Sequence, residues 1–300
     1  MKKYSREQKV YSMGNVQIGG QPGERPMVLG GSIFFNKHVI VTDPAKGVFD
    51  RDRARALLEK DAQMASRTGI PRFIDPIGET AEALIQYIEF VAVHSDAPIL
   101  VDSPLQQARM EAIDYFAGGP LIPRLIYNSI AEDLTAGELA CIRRSGIKSA
   151  VVLAFSATAL RPADRIKLLR ETLLPAAEEA GIENFLIDTG VLDLPSVSLA
   201  AQAIALVKEE FGFPAGCAPA NALFIWEKNK KHDQTTFQAA AAAVFSLLRC
   251  AGADFILYGP MRFAAWAYPA CAAADGLIAY GGRFEGIRPA TKEHPLYRIF

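Results

Sequence analysis

No segment of this 300-residue chain is apolar for long enough to cross a bilayer. The longest such run, around Phe237 to Leu248, is alanine-rich and falls short of the roughly 20 residues that a hydrocarbon layer of about 30 Å requires. The opening MKKYSREQKV is basic but leads into no apolar segment, so a secretory signal is not expected. A surplus of charge is missing as well: Lys and Arg number 32 against 33 Asp and Glu, so the overall charge makes no case for a nucleic-acid or acidic-membrane partner. Cysteine is scarce. Cys141, Cys217, Cys250 and Cys271 lie far apart, without a CxxC, mostly in apolar or alanine-rich surroundings, and read as reduced core thiols of a cytoplasmic protein. His38, His94, His232 and His294 show no HxxxH or HxE spacing, which argues against a metal site. Also missing are a Pro/Ser-rich linker and a block of like charge, so residues 1–300 are expected to form one domain.

What the chain does contain is a regular alternation. Apolar or β-branched runs lie at Met27 to Phe35, Pro71 to Gly78, Pro98 to Pro104, Arg124 to Ile130, Ser149 to Phe155, Asn184 to Gly190, Pro214 to Asn221 and Phe255 to Met261. Longer stretches of helical period separate them, and most of these end in glycine. Near-continuous apolar strands followed by amphipathic helices predict a parallel sheet covered by helices. Eight such units predict an α/β fold of the (β/α)8 TIM-barrel type, ahead of a doubly wound open sheet. The glycine cluster in VQIGGQPGERP precedes a strand and has no helix behind it. It is therefore expected to form a hairpin, residues about 10–26, that closes the barrel bottom, and not a phosphate-cradling loop.

In such a barrel the C-terminal ends of all strands face one mouth, and polar residues there converge however far apart they stand in sequence. Asp75, Asp102, Asn128, Asp188 and Asn221 end the second, third, fourth, sixth and seventh runs. The ordinary use of Asp or Asn after a strand is as a helix N-cap. Better caps stand downstream: Thr80 after Glu79, Ser103 with Pro104 at the first helical position, Thr135 with Glu138 as a capping box, and Ser196 or Ser198. That frees the five for a ligand. No G-x-S-x-G supports a serine nucleophile, and no strand carries the interior lysine of a Schiff-base aldolase. YGPMRF, at the eighth strand, could offer backbone N–H groups to a phosphate, but Pro260 removes one donor. Carboxylates pair well with a ring that offers adjacent N–H groups, as the 2-amino-4-oxo edge of a pterin does. An amide both donates and accepts, and so can follow a ring nitrogen through a change of protonation.

The segments EQKVYSMGNVQIGGQPGERPMVLGGSIFF, NKHVIVTDPAKGVFD, IDPIGET, APILVDSP, LIYNSI and AVVLAF resemble the H subunit of tetrahydromethanopterin S-methyltransferase. They are equally similar to its soluble bacterial relatives, which exchange a methyl group between a corrinoid protein and tetrahydrofolate, as in glycine betaine demethylation. The likeness runs from about Glu7 through Phe155, with FLIDTGVLDLPS and GCAPANALF similar in kind. It implies a barrel of the pterin-binding, dihydropteroate-synthase-like group, usually a homodimer. It also implies residue roles: Asp75, Asp102, Asn128, Asp188 and Asn221 as pterin contacts, with Asn221 near N5 and with Asn221, Asp188 and Asn128 assisting the transfer. On this resemblance the substrate is a reduced pterin, tetrahydrofolate giving 5-methyltetrahydrofolate. The cobalamin would be carried by a partner corrinoid protein, since the chain has no DxHxxG. A tetrahydromethanopterin-specific subunit of a membrane-associated complex and a pterin-binding subunit without catalysis are the alternatives. Lys228, Lys230 and Lys231 in WEKNKKHDQ are expected on a solvated loop or helix end, with docking of an acidic corrinoid protein as the sharper reading. Trp226 and Trp266 are expected to pack, and residues 36–50 fit either a lid or a dimer contact.

Overall fold

The structure, a computed structural model, describes residues 3–230 and 232–300. A hairpin of β1 (Val10–Met13) and β2 (Val16–Gly19) leads into β3 (Val28–Ile33), the first barrel strand. A small second hairpin follows, β4 (Val41–Asp43) and β5 (Val48–Phe49), and then the alternation begins. Its units are α1 (Arg51–Thr68), β6 (Arg72–Pro76), α2 (Ala81–His94), β7 (Ile99–Asp102), α3 (Gln106–Phe116), β8 (Leu125–Ile130), α4 (Ala136–Ser145) and β9 (Ser149–Leu153). Next come α5 (Pro162–Leu168), joined through a π turn to α6 (Leu174–Glu179), then β10 (Asn184–Asp188), α7 (Val197–Glu210) and β11 (Ala215–Cys217). The chain continues through α8 (Ala220–Lys230), α9 (Gln234–Cys250), β12 (Phe255–Pro260), α10 (Ala264–Gly282) and α11 (Pro295–Arg298). Strands β3, β6, β7, β8, β9, β10, β11 and β12 close into one parallel barrel, the fold that the alternation predicts.

The strands are apolar on both faces because both are buried. Inward, Val28, Phe73, Leu100, Ile126, Val151, Leu186, Phe255 and Leu257 fill the barrel, and Met13, Val16 and Ile18 of the first hairpin pack into the same cluster from below. Outward, Leu29, Ile74, Val101, Tyr127, Val152, Ile187 and Ile256 join the helices in a second, larger core. Helix starts follow the local chemistry: Asp50, Thr80, Thr135 and Asp233 accept the N–H of the residue three further on.

Several local expectations need correction. Ser103 does not cap α3, which begins at Gln106 without a side-chain cap. Its Oγ instead accepts the Leu105 N–H at 3.1 Å, and its carbonyl accepts Arg109 Nη1 at 2.7 Å, so Ser103 belongs to a loop turn. The seventh strand is shorter than the run read for it. Pro219 has no N–H to donate to a ladder, and its carbonyl accepts the N–H of Leu223, so the chain has turned helical by Ala220 and Asn221 sits on the first turn of α8. Of the four thiols, Cys250 is exposed and the other three are buried. The 36–50 segment lies against α2, where Phe49 packs on Phe34, Tyr87 and Phe90 and the carbonyls of Ala45 and Lys46 accept from Thr80 and Gln86. Among the described residues, no helix is long and apolar enough to cross a membrane.

Candidate functional site at the barrel mouth

Parallel pairing with little stagger brings polar residues of successive strands into a row. Ser32 on β3 stands beside Asp75 on β6, and Asp102 on β7 beside Asn128 on β8. Asp188 ends β10 across the mouth, and Asn221 enters from α8. All five residues singled out in the sequence line one cavity of about 670 Å³, together with Ser32, Phe35, Lys37, Phe155 and Arg262 among others.

Asp75 and Asp188 are buried and Asp102 is half-buried, and all three are chemically unsettled. Ser32 Oγ donates to Asp75 Oδ2 at 2.7 Å, while Asp75 Oδ1 is buried without a hydrogen-bond partner. Burial pushes Asp75 up to about 6, against the pull of its hydrogen bonds to Ser32 and Asp102. Desolvation likewise lifts Asp102 well above the usual carboxylate range; the neighbouring Asp75 charge adds to the lift, and the Arg109 charge and the Asn128 amide oppose it. Each of these two neighbouring acids raises the cost of ionising the other. Asp188 accepts the Gly190 N–H at 2.7 Å, and burial pushes it up to about 6 against that bond and the charge of Arg165. Arg165 is itself committed, donating to the carbonyls of Thr189 (2.7 Å) and Gly190 (3.2 Å) while it lies over the Phe155 ring. Gly190 is required at this turn: its φ is +70°, and a Cβ would meet that of Phe155 at 2.3 Å. Among the described residues, the ion pairs that bury an acid use Asp61, Glu138, Asp254 and Asp275, and none uses Asp75, Asp102 or Asp188.

Sequence reading missed Ser32, Phe155, Lys37 and Arg262. Arg262 stands within YGPMRF, in the turn Met261–Phe263 after β12, and Lys37 in the turn after β3, where its φ is +62°. The only available signal was a cation just past a strand end. Lys228 and Lys230 fall in the last turn of α8, and Lys231 lies outside the described residues. Trp226 lies against His232 with ring centroids 4.1 Å apart, and Trp266 packs among Phe237, Phe245 and Phe263.

Comparison with known proteins bears on this geometry. The profile of the family described as "Tetrahydromethanopterin S-methyltransferase MtrH subunit" matches residues 6–290, so the likeness extends well past Phe155. The H subunit of a putative methyltransferase, mtx, from Methanosarcina barkeri is 37% identical over 99% of both chains. The H subunit of tetrahydromethanopterin S-methyltransferase from Methanothermobacter thermautotrophicus is 33% identical over 100% of both. Among solved structures, 7,8-dihydropteroate synthase from Vibrio fischeri superposes with a TM-score of 0.64 at 15% identity, covering 90% of this chain and 98% of that one. Dihydropteroate synthase from Xanthomonas albilineans, in complex with 7,8-dihydropteroate, gives 0.61 at 19% identity, over 89% and 96%. With its barrel shared with the dihydropteroate synthases and its sequence matched almost end to end, the chain belongs to the MtrH family of methyltransferase subunits.

Proposed function

We propose that this protein is a methyltransferase that exchanges a methyl group between a methyl-corrinoid, carried by a separate protein, and N5 of a reduced pterin, tetrahydrofolate. The observation that carries the reading is the group of three carboxylates outside any ion pair among the described residues, facing one cavity with two amides. A site of this kind suits a flat ring whose 2-amino-4-oxo edge donates two parallel hydrogen bonds, which favour the ionised form of a carboxyl that burial otherwise disfavours.

The chemistry asked of the chain is modest. N5 attacks the methyl carbon in line; the N5–C bond forms, the C–Co bond breaks, and its electron pair stays on cobalt. The proton that N5 carried leaves, and Asp188, a carboxylate at neutral pH with a folded pKa of about 6, is the group to receive it. In the opposite direction N5 must gain a proton or a strong hydrogen bond before it can depart. Asn221, which can donate or accept from the first turn of α8, is assigned that part, with Asn128 holding Asp102 and the ring edge. Most of the acceleration then comes from holding two reactants in register.

A large co-substrate has somewhere to sit. The loops after β3, β7, β9 and β10, and α8 after β11, carry the exposed side chains Val39, Leu105, Leu160, Leu192 and Ile225 around the mouth. That apolar rim fits a corrinoid-bearing partner. A second exposed apolar face, Leu277, Tyr280 and Phe284 on and just after α10, supports a homodimer. The test is anaerobic mixing of the protein with methylcob(III)alamin and tetrahydrofolate. Appearance of the cob(I)alamin spectrum is expected; no change with any reduced pterin would defeat the proposal.

A second reading takes tetrahydromethanopterin as the pterin, in an assembly of several different chains. It is favoured by the curated relatives named as the H subunit of tetrahydromethanopterin S-methyltransferase. Rates with the two pterins, measured on the isolated chain, separate the readings.

A further inference from the structure

The cavity is not acidic throughout. Its carboxylates come from β6, β7 and β10, whereas its two cations, Lys37 and Arg262, come from the turns that follow β3 and β12. Those strands are neighbours in the barrel, paired from Phe255 and Val28 to Pro260 and Ser32, so the two turns rise side by side on one arc of the rim. The turn that carries Lys37 is fixed. His38 Nδ1 accepts the Phe34 N–H at 3.1 Å, the His38 N–H reaches the Phe35 carbonyl at 2.9 Å, and the buried imidazole stacks on Phe35 at 4.4 Å. Arg262 lies over the Phe263 ring at 4.9 Å, and its charge is near enough to help hold His38 neutral. Among the described residues neither cation has a carboxylate partner, although acids abound deeper in the same cavity.

We infer that Lys37 and Arg262 form an anion subsite that holds a carboxylate on the tail of the substrate, opposite the acids that hold its ring. This rests on the pterin reading above and narrows it. A cavity with acids on its floor and unpaired cations on one side of its rim selects a ligand with the reverse polarity: a hydrogen-bond-donating ring at one end and an anion at the other. Tetrahydrofolate has that form, since its benzoylglutamate tail ends in carboxylates. The tail of tetrahydromethanopterin also starts from an aryl ring but continues as an uncharged polyol and carries its phosphate and carboxylates further out. The cation pair is thus a specificity element as well as a contact, and Phe35, lining the cavity beside Lys37, offers a ring against which the benzoyl group can lie.

The test is anaerobic titration calorimetry on the full chain with three ligands: tetrahydrofolate, tetrahydromethanopterin, and 6-methyltetrahydropterin, which has the ring without a tail. Both substituted side chains are exposed, so Lys37→Gln with Arg262→Gln should leave the fold intact. The double variant is expected to bind tetrahydrofolate about tenfold more weakly, the scale of one or two charge-assisted contacts at a partly solvated site, and 6-methyltetrahydropterin within about twofold of the unaltered protein. Equal loss for both, or no loss for either, overturns the subsite. Loss confined to tetrahydromethanopterin overturns its assignment to a folate-type carboxylate. If the unaltered protein binds no reduced pterin at all, the pterin reading itself has failed and the subsite goes with it.

Discussion

At the foot of the barrel, Lys208 Nζ lies 2.7 Å from Asp254 Oδ2 and Arg249 Nε lies 2.6 Å from Asp275 Oδ1. The remaining valences there are filled too: Lys208 also donates to the Gly20 carbonyl, Arg249 to those of Ala253 and Arg25, and the acids accept the N–H groups of Ala215 and Met27. At the mouth, Asp75 and Asp188 are buried as well and Asp102 half-buried, but these three face one another, amides and the cavity. The two ends share a residue type and differ in its completion. A buried acid with its cation in place closes a structure, whereas one without a cation costs the folded state free energy that a ligand can return. Stability is therefore assigned to the foot and recognition to the mouth.

The sharpest way to break this contrast is to remove one acid from the foot. Asp275→Ala strands Arg249 in a site where it is 1% exposed, and a loss of about 3–5 kcal/mol in unfolding free energy is expected from chemical denaturation. A loss under about 1 kcal/mol would place the foot and the mouth on the same footing.

Burial gives Asp188 at the mouth a pH response opposite in sense to that of a solvent-exposed ion-paired acid. Asp188 keeps its proton up to about pH 6 in the folded state and releases it near 3.8 in the unfolded chain. Its stabilising proton is fully present below 3.8, is lost as pH climbs to 6, and has no further effect above that. The decline amounts to about 3 kcal/mol at most. Unfolding curves across this window should fall less steeply for Asp188→Asn than for the unaltered protein; a parallel fall would remove Asp188 from the account of the mouth.

Next in size is the effect of Asp102→Asn. Neutralising this carboxyl relieves its repulsion with Asp75, so stability should hold or rise by about 1 kcal/mol while affinity for a reduced pterin drops about 100-fold. Destabilisation without a change in affinity would reverse the roles of the two ends.

Much of this contrast is legible in the sequence, for a physical reason. Strands buried on both faces read as unbroken apolar runs, so a carboxylate closing such a run, as in ILVD or FLID, marks the point where the barrel opens. Asp75, Asp102 and Asp188 were legible in that way, whereas Asn128 is an amide inside β8, which runs on to Ile130, and it stood out only as a polar residue in an apolar run. Asn221 was expected at the mouth and lines the cavity there, but it stands on α8 and not at a strand end, because APAN continues the apolar pattern while Pro219 ends the ladder, a backbone event that side-chain periodicity does not register. Lys37 and Arg262 were not legible. Nothing in FNK or PMR distinguishes a rim cation from any surface cation, and only the pairing of the first strand with the last brings them together. The foot is hidden for the same reason: Arg249 and Asp275 are 26 residues apart, and Lys208 and Asp254 are 46 apart.

The most direct measurement is a crystal structure of the protein with 5-methyltetrahydrofolate bound. The expected result has the 2-amino-4-oxo edge of the ring within hydrogen-bonding distance of Asp75, Asp102 and Asn128, with N5 and its methyl turned toward Asp188, Asn221 and the open mouth. A ring bound outside this cavity, or inside it with the three acids still unengaged, would contradict the assignment of recognition to the mouth.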